Sequence, residues 1–125
     1  MIPLAQQAWS RLSLSLSTAG LTALARGLHA DDPRLSQDPM TGYDAVSYCL
    51  WFGDGIYDWG MLKQAWAAHL RQADLGYESG DPPSWAWLAW HDMTPRPQMI
   101  AELLELVTVE LERRQRRGPL SVSLC

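Results

Sequence analysis

The chain has 125 residues, seven of them tryptophan, with 47% apolar and 19% charged side chains and a net charge of −4. That balance excludes a disordered chain, and no apolar run approaches the ~18 residues of a membrane span. The length suits one domain, able to bury about two-thirds of its unfolded surface.

Residues 4 to 28 predict helix. Ala5, Trp9, Leu12, Leu16, Ala19 and Ala23 recur at helical spacing and make one apolar seam. Leu12, Leu14 and Leu16 alternate with serines, the period of a half-buried strand, but the helical seam is longer. A break is expected at Gly20, with Ser17 or Thr18 capping the second piece and Gly27 ending it. No basic residue precedes Arg11 and serines interrupt the apolar stretch, so a secretory leader is not expected.

Residues 29 to 42 read as loop, with turn formers at Asp31-Asp32-Pro33 and Asp38-Pro39. Tyr43 to Phe52 predicts a short buried helix with Tyr43, Val46 and Leu50 in line, although its apolar run from Tyr48 to Phe52 also suits a strand. Asp58 is the expected N-cap of a helix from Trp59 to Leu75, and Gly76 its C-cap. The seam of that helix is Trp59, Leu62, Trp66, His69 and Ala73. After a loop over 76 to 83, Ser84 is expected to cap a short helix holding Trp85, Trp87 and Trp90. On it, Trp87 and Trp90 share one face and Trp85 and Leu88 another. Neither face is polar, so cover from both sides is expected.

Thr94-Pro95 predicts the start of the last helix and Gly118-Pro119 its end. Two seams lie side by side on it: Ile100, Leu104, Val107 and Leu111, and Met99, Leu103 and Leu106. That face is wider than one neighbouring helix requires. The expected fold is all-α, a single compact bundle of four to six helices with a long C-terminal amphipathic helix. The domain would span residues 1 to 118, followed by a short tail, 119 to 125.

Charge is uneven. Residues 31 to 92 hold ten acidic groups against three basic ones, Arg34, Lys63 and Arg71. Such a stretch does not suit contact with phosphates. Arg113, Arg114, Arg116 and Arg117 could grip an anion, but Glu110 and Glu112 stand at pairing distance along the helix. Two cysteines, Cys49 and Cys125, without CxxC or HxxxH spacing, predict neither a zinc site nor a disulfide framework.

No nucleotide loop, nucleophile elbow, metalloprotease motif or EF-hand loop is present, and neither catalytic residues nor a cofactor are predicted. His69 lies on an apolar seam and His91 follows Trp90. His69 could be a base near neutral pH or a hydrogen-bonded core residue; His91 could share a surface with Trp87, four residues before it, or be a helix C-terminal residue favoured by the dipole. His29 reads as a helix-end cap. Asp54 and Asp58 stand four apart and could hold a metal, but Gly53 and Gly55 make one a turn residue and the other a cap. The leading expectation is a non-enzymatic cytoplasmic protein that binds another protein, or itself as a homodimer. Its contact residues would be Trp85, Trp87, Trp90, His91, Met99, Leu103 and Leu106. The alternatives are a small enzyme or ligand-binding protein with a tryptophan-lined cleft using His69 and His91, with Asp58 as a further polar group, and an acidic mimic that binds a nucleic-acid-handling protein.

Overall fold

The computed structural model of the protein describes residues 3–38, 41–72 and 82–123. Six helices and no strand occur among them: α1 (Pro3–Ser15), α2 (Thr18–His29), α3 (Ala45–Phe52), α4 (Trp59–Gln72), α5 (Pro82–Met93) and α6 (Arg96–Ser123). This is the expected all-α bundle. α1 packs mainly against α5 and more lightly against α4, while α2 lies against both α3 and α6. No helix among the described residues is long and apolar enough to cross a membrane.

The predicted seam of α1 is the core seam. Ala5, Trp9, Leu12 and Leu16 are buried, and Leu14, about 200° around the helix from Leu12, is 63% exposed. The strand alternative is thereby excluded. The chain leaves the helix at Leu16–Ser17 rather than at Gly20. Ser17, in extended conformation, caps α2 by accepting the amide of Gly20 at 2.8 Å. Ala19, the next residue in the predicted seam, is consequently exposed.

Gly20 and Gly27 lie inside α2, and packing explains both. A Cβ on Gly20 would sit 3.0 Å from the Cβ of Cys49, and one on Gly27 would sit 2.5 Å from the Tyr48 hydroxyl. The missing side chains let α2 approach α3 closely, with Leu21, Leu24 and Leu28 buried alongside. His29 is the last residue of α2 rather than a cap beyond it.

α3 begins at Ala45, so Tyr43 lies outside it and is 38% exposed instead of in line with Val46 and Leu50. Asp58 caps α4 as expected, its Oδ1 accepting the amide of Met61 at 2.8 Å. Leu62 and Leu70 form the buried line of α4, but Trp59 is half exposed. The expected end of that helix at Leu75 and Gly76, with Ala73, lies outside the described residues.

α5 starts at Pro82, two residues before Ser84; proline fits a first helical turn, where its missing amide hydrogen costs no bond. α6 starts at Arg96, with the carbonyl of Pro95 accepting the amide of Met99 at 2.9 Å, so Pro95 and not Thr94 holds the cap position. α6 runs through Gly118 and Pro119 to Ser123, past the predicted stop and into the predicted tail. Proline lacks a donor but keeps a helical φ, so it weakens a helix there without forbidding it. Met99, Leu103 and Val107 are fully buried, with Ile100, Leu104, Leu106 and Leu111 packed at the margins. Both predicted seams of α6 are therefore used within the fold.

Two arginines tie the ends of the bundle. Arg96 donates to Asp31 Oδ1 at 2.7 Å, Leu35 O at 2.8 Å and Asp32 O at 3.0 Å, holding the loop after α2 to the start of α6. Arg114 donates to Ser13 O at 2.7 Å and Thr18 Oγ1 at 3.1 Å, meeting carbonyl and hydroxyl oxygens at the α1–α2 corner.

Candidate functional site

The predicted contact residues divide sharply. Trp87 stacks on Trp9 of α1, with ring centroids 5.0 Å apart, and on Trp90 at 5.5 Å. Trp87, Trp90, His91, Met99 and Leu103 are all buried, and Leu106 is half-buried. The indole N–H of Trp90 is met by Glu102 Oε2 at 3.2 Å. Only Trp85, at 62% exposure, stands open to a partner. The helix is apolar on two faces, as its sequence says; the fold covers the Trp87–Trp90 face and, on the other, packs Leu88 against the core but leaves Trp85 open.

The two histidines have no common partner. His91 presents Nδ1 to the carbonyl of Gln37 at 2.7 Å and accepts the amide of Ala45 at Nε2, 3.1 Å away. A carbonyl only accepts and an amide only donates, so His91 is neutral with its hydrogen on Nδ1. Burial holds its pKa below the ordinary value, against the nearby Asp44 carboxylate. Asp44, directly before α3, is equally buried, and burial raises its pKa. Its Oδ1 accepts the hydroxyl of Ser47 at 2.5 Å, and Ser47 Oγ accepts the indole N–H of Trp66 at 2.7 Å. Asp44 Oδ2 is buried and has no hydrogen-bond partner among the described residues.

His69, half-buried, meets Ser15 Oγ through Nδ1 at 3.0 Å. Ser15 Oγ also lies 2.8 Å from Leu12 O. A hydroxyl has one hydrogen, and Leu12 O can only accept it, so His69 Nδ1 supplies the hydrogen of the longer bond. A serine donating to a carbonyl and accepting from an imidazole is not activated for attack. An adjoining surface depression of about 310 Å³ is lined by Arg11, Leu14, Ser15 and Gln72. Burial lowers the His69 pKa and the Asp54 charge opposes it, but Asp54 is hydrogen-bonded to the Ser17 hydroxyl.

Several acidic groups of the middle stretch are engaged within the fold. Asp32 accepts from both Arg34 and Tyr48, and these bonds hold its carboxyl well below the usual range. Burial and the same Asp32 bond push the Tyr48 phenol up to about 12. Asp31 pairs with Arg96, Asp58 caps α4 and Asp44 is buried. Asp74, Glu78 and Asp81 lie outside the described residues. Among the arginines, Arg113 and Arg114 pair with Glu110 at 2.6 and 2.7 Å, as the spacing predicts. Arg113 first, then Arg114, pull the Glu110 pKa down to about 2. Cys49 is a buried free thiol whose pKa burial drives up; Cys125 lies outside the described residues. No group of three or more metal-ligating side chains occurs among the described residues.

A second aromatic group, not singled out by the sequence, occupies the surface around α3. Tyr43 stacks on Trp51 with centroids 5.8 Å apart, and Trp51 meets Trp59 edge-on at 6.0 Å. Trp51 Nε1 donates to Gly42 O at 2.6 Å. Gly42, at φ +75, lies against the Trp59 ring, where a Cβ would collide. Tyr43 and Trp59 are 38% and 50% exposed, and in the connection between α3 and α4 Tyr57 reaches 80%. A usable signal existed: residues 41 to 60 contain six aromatic side chains and no lysine or arginine. Helical spacing hid it by assigning Tyr43 and Trp59 to buried seams.

The chain matches no protein-family model, no curated protein and no solved structure.

Proposed function

We propose that this is a non-enzymatic protein that works by binding another protein, through the aromatic surface formed by Tyr43, Trp51 and Trp59 with Tyr57 beside it. The observation that carries this reading is the exposure of rings that are fixed against one another. Tyr43, Trp51 and Trp59 are held by stacking and by the Trp51–Gly42 hydrogen bond, yet Trp59 keeps half of its surface in water, and Tyr57, two residues before it, is 80% exposed. Tryptophan and tyrosine with fixed rotamers offer large contact area at small entropic cost, which is why they dominate binding hot spots. The catalytic alternative draws less support, since His91 is fully bonded inside the core and Ser15 is not activated by His69. Acidic mimicry fares similarly, with Asp44 buried and Asp31 and Asp32 tied to arginines.

The test is a comparative pull-down from source lysate with wild type, Trp59→Ser/Tyr57→Ser, and Trp85→Ser. The expected outcome is a protein retained by wild type and by Trp85→Ser but lost with the double variant, whose circular dichroism stays unchanged. A partner lost only with Trp85→Ser moves the surface to α5, and one kept by every variant overturns the reading. Light scattering on the same samples detects a second copy of the chain as the partner.

A further inference from the structure

We propose that Asp44 and His91 form an acid-operated latch on the N-terminus of α3: on taking up a proton at Nε2, His91 gives up the amide of Ala45 and turns its new N–H to the idle Oδ2 of Asp44. The first ground is tautomer geometry. Nε2 is the acceptor of the Ala45 amide at 3.1 Å, and Nδ1 is committed as donor to Gln37 O at 2.7 Å. A proton arriving from solvent has only Nε2 to bind, and there it would point at another N–H. The ring and the first turn of α3 therefore cannot keep this contact once the imidazole is charged.

The second ground is the orphan oxygen. Asp44 is 1% exposed, and its Oδ1 is engaged by Ser47 while Oδ2 is buried without a partner among the described residues. Leaving a buried acceptor unmet is costly, and such exceptions call for an explanation. Asp44 and Ala45 are consecutive, so the idle oxygen and the amide held by His91 lie on the same short stretch of chain. An imidazolium leaving the one finds an acceptor at the other. These are the two arrangements a switch requires.

The surroundings isolate the pair. His91 feels the charge of Asp44, directly before α3, and of Asp92 in α5. Its ring otherwise meets Trp87 and Trp90 edge-on and the neutral Gln37. Asp44 in turn faces Ser47, with Trp66 of α4 behind it, and its charge bears on the Cys49 thiol. On α6, the Glu102 carboxylate is bonded to Trp90. Gln37 binds the carbonyls of His91 and Thr94 through its side chain, so α5 stays anchored while α3 is released.

Neutral His91 stabilises the fold above the ordinary 6.5, and that contribution is lost as pH falls below 6.5, because the unfolded chain takes up the proton first. Asp44 runs the other way: its raised pKa means that stability it contributes in acid is lost as pH rises from 3.8. Tyr43 directly precedes the latch, and Trp51 lies in the last turn of the same helix. That acid would also alter the aromatic surface rests on the proposed function; the latch itself does not.

The experiment is a pH titration of the full chain by NMR, following the His91 ring nitrogens and the exchange protection of the Ala45 amide. Below neutrality the protection factor of Ala45 should fall about tenfold per pH unit, the slope of one linked proton, in step with conversion of His91 from the Nδ1–H tautomer to imidazolium. Asp44→Asn should move both midpoints down by about one unit, since the carboxylate that favours the charged ring is gone. His91→Gln should leave Ala45 protection flat with pH. An imidazolium at residue 91 with Ala45 still protected would overturn the latch, as would midpoints unmoved by Asp44→Asn. Should either variant fail to fold, the order of events in the wild-type titration decides alone.

Discussion

Two groups of tryptophans lie within this small bundle, and the fold treats them oppositely. Trp9, Trp87 and Trp90 stack face to face between α1 and α5 and are almost fully buried. Trp51 and Trp59, with Tyr43, meet around α3 and the start of α4 and stay open on one side. The buried set lies where α1 packs against α5, and Ala5, Ala8 and Leu12 of α1 are buried with it. The open set backs onto Gly42, whose missing side chain makes room for the Trp59 ring and whose carbonyl accepts from Trp51. Residue type therefore does not decide which indoles serve stability and which remain for a partner. The size and spacing of what lies opposite does.

The largest expected effect breaks that comparison directly. Trp87→Ala should cost about 3–5 kcal/mol, the range for deleting a fully buried aromatic ring. Trp59→Ala removes a ring that is already half in water and should cost no more than about 1–2 kcal/mol, the lower part of the range for single substitutions. Urea unfolding followed by circular dichroism measures both. Similar losses for the two variants would mean that the open group is as structural as the buried one.

The α2–α3 contact supplies the next effect. Gly27→Ala would place a methyl 2.5 Å from the Tyr48 hydroxyl, whose bond to Asp32 fixes the ring. Overpacking of this kind costs about 1–3 kcal/mol. Because Ala has the better helix propensity, a gain in stability would show that Tyr48 can move aside freely. The readout is the urea midpoint, with the Tyr48 ring proton shifts as a local check.

Helix spacing made much of the bundle legible. The α1 seam, the Asp58 cap, the Trp87–Trp90 face and the Glu110–arginine pairs all follow from local geometry, and the structure holds each of them. Gly20 and Gly27 misled because a glycine inside a helix has the same sequence signature whether it breaks the helix or admits a neighbour; only the presence of Cys49 and Tyr48 opposite tells them apart. The aromatic surface was hidden for a related reason. Trp59 falls on the seam by spacing, but it stands in the first turn of α4, against Gly42 rather than another helix. The bond from the Ala45 amide to His91 joins residues 46 positions apart, and no spacing rule reaches that far.

The same contrast between used and open groups extends to the arginines of α6, and there the difference is smallest. Arg114 is 19% exposed and gives its guanidinium to Glu110, Ser13 O and Thr18, whereas Arg116 is exposed. Arg114→Met keeps the aliphatic stem but leaves the Ser13 carbonyl without this donor, and should cost about 1–2 kcal/mol for hydrogen bonds made by a charged group. Arg116→Met should stay within about 0.5 kcal/mol. Thermal unfolding of the two single variants at fixed pH and salt measures the gap. Equal melting temperatures would show that the α1–α2 corner does not depend on Arg114, and that its guanidinium is as free for another role as that of Arg116.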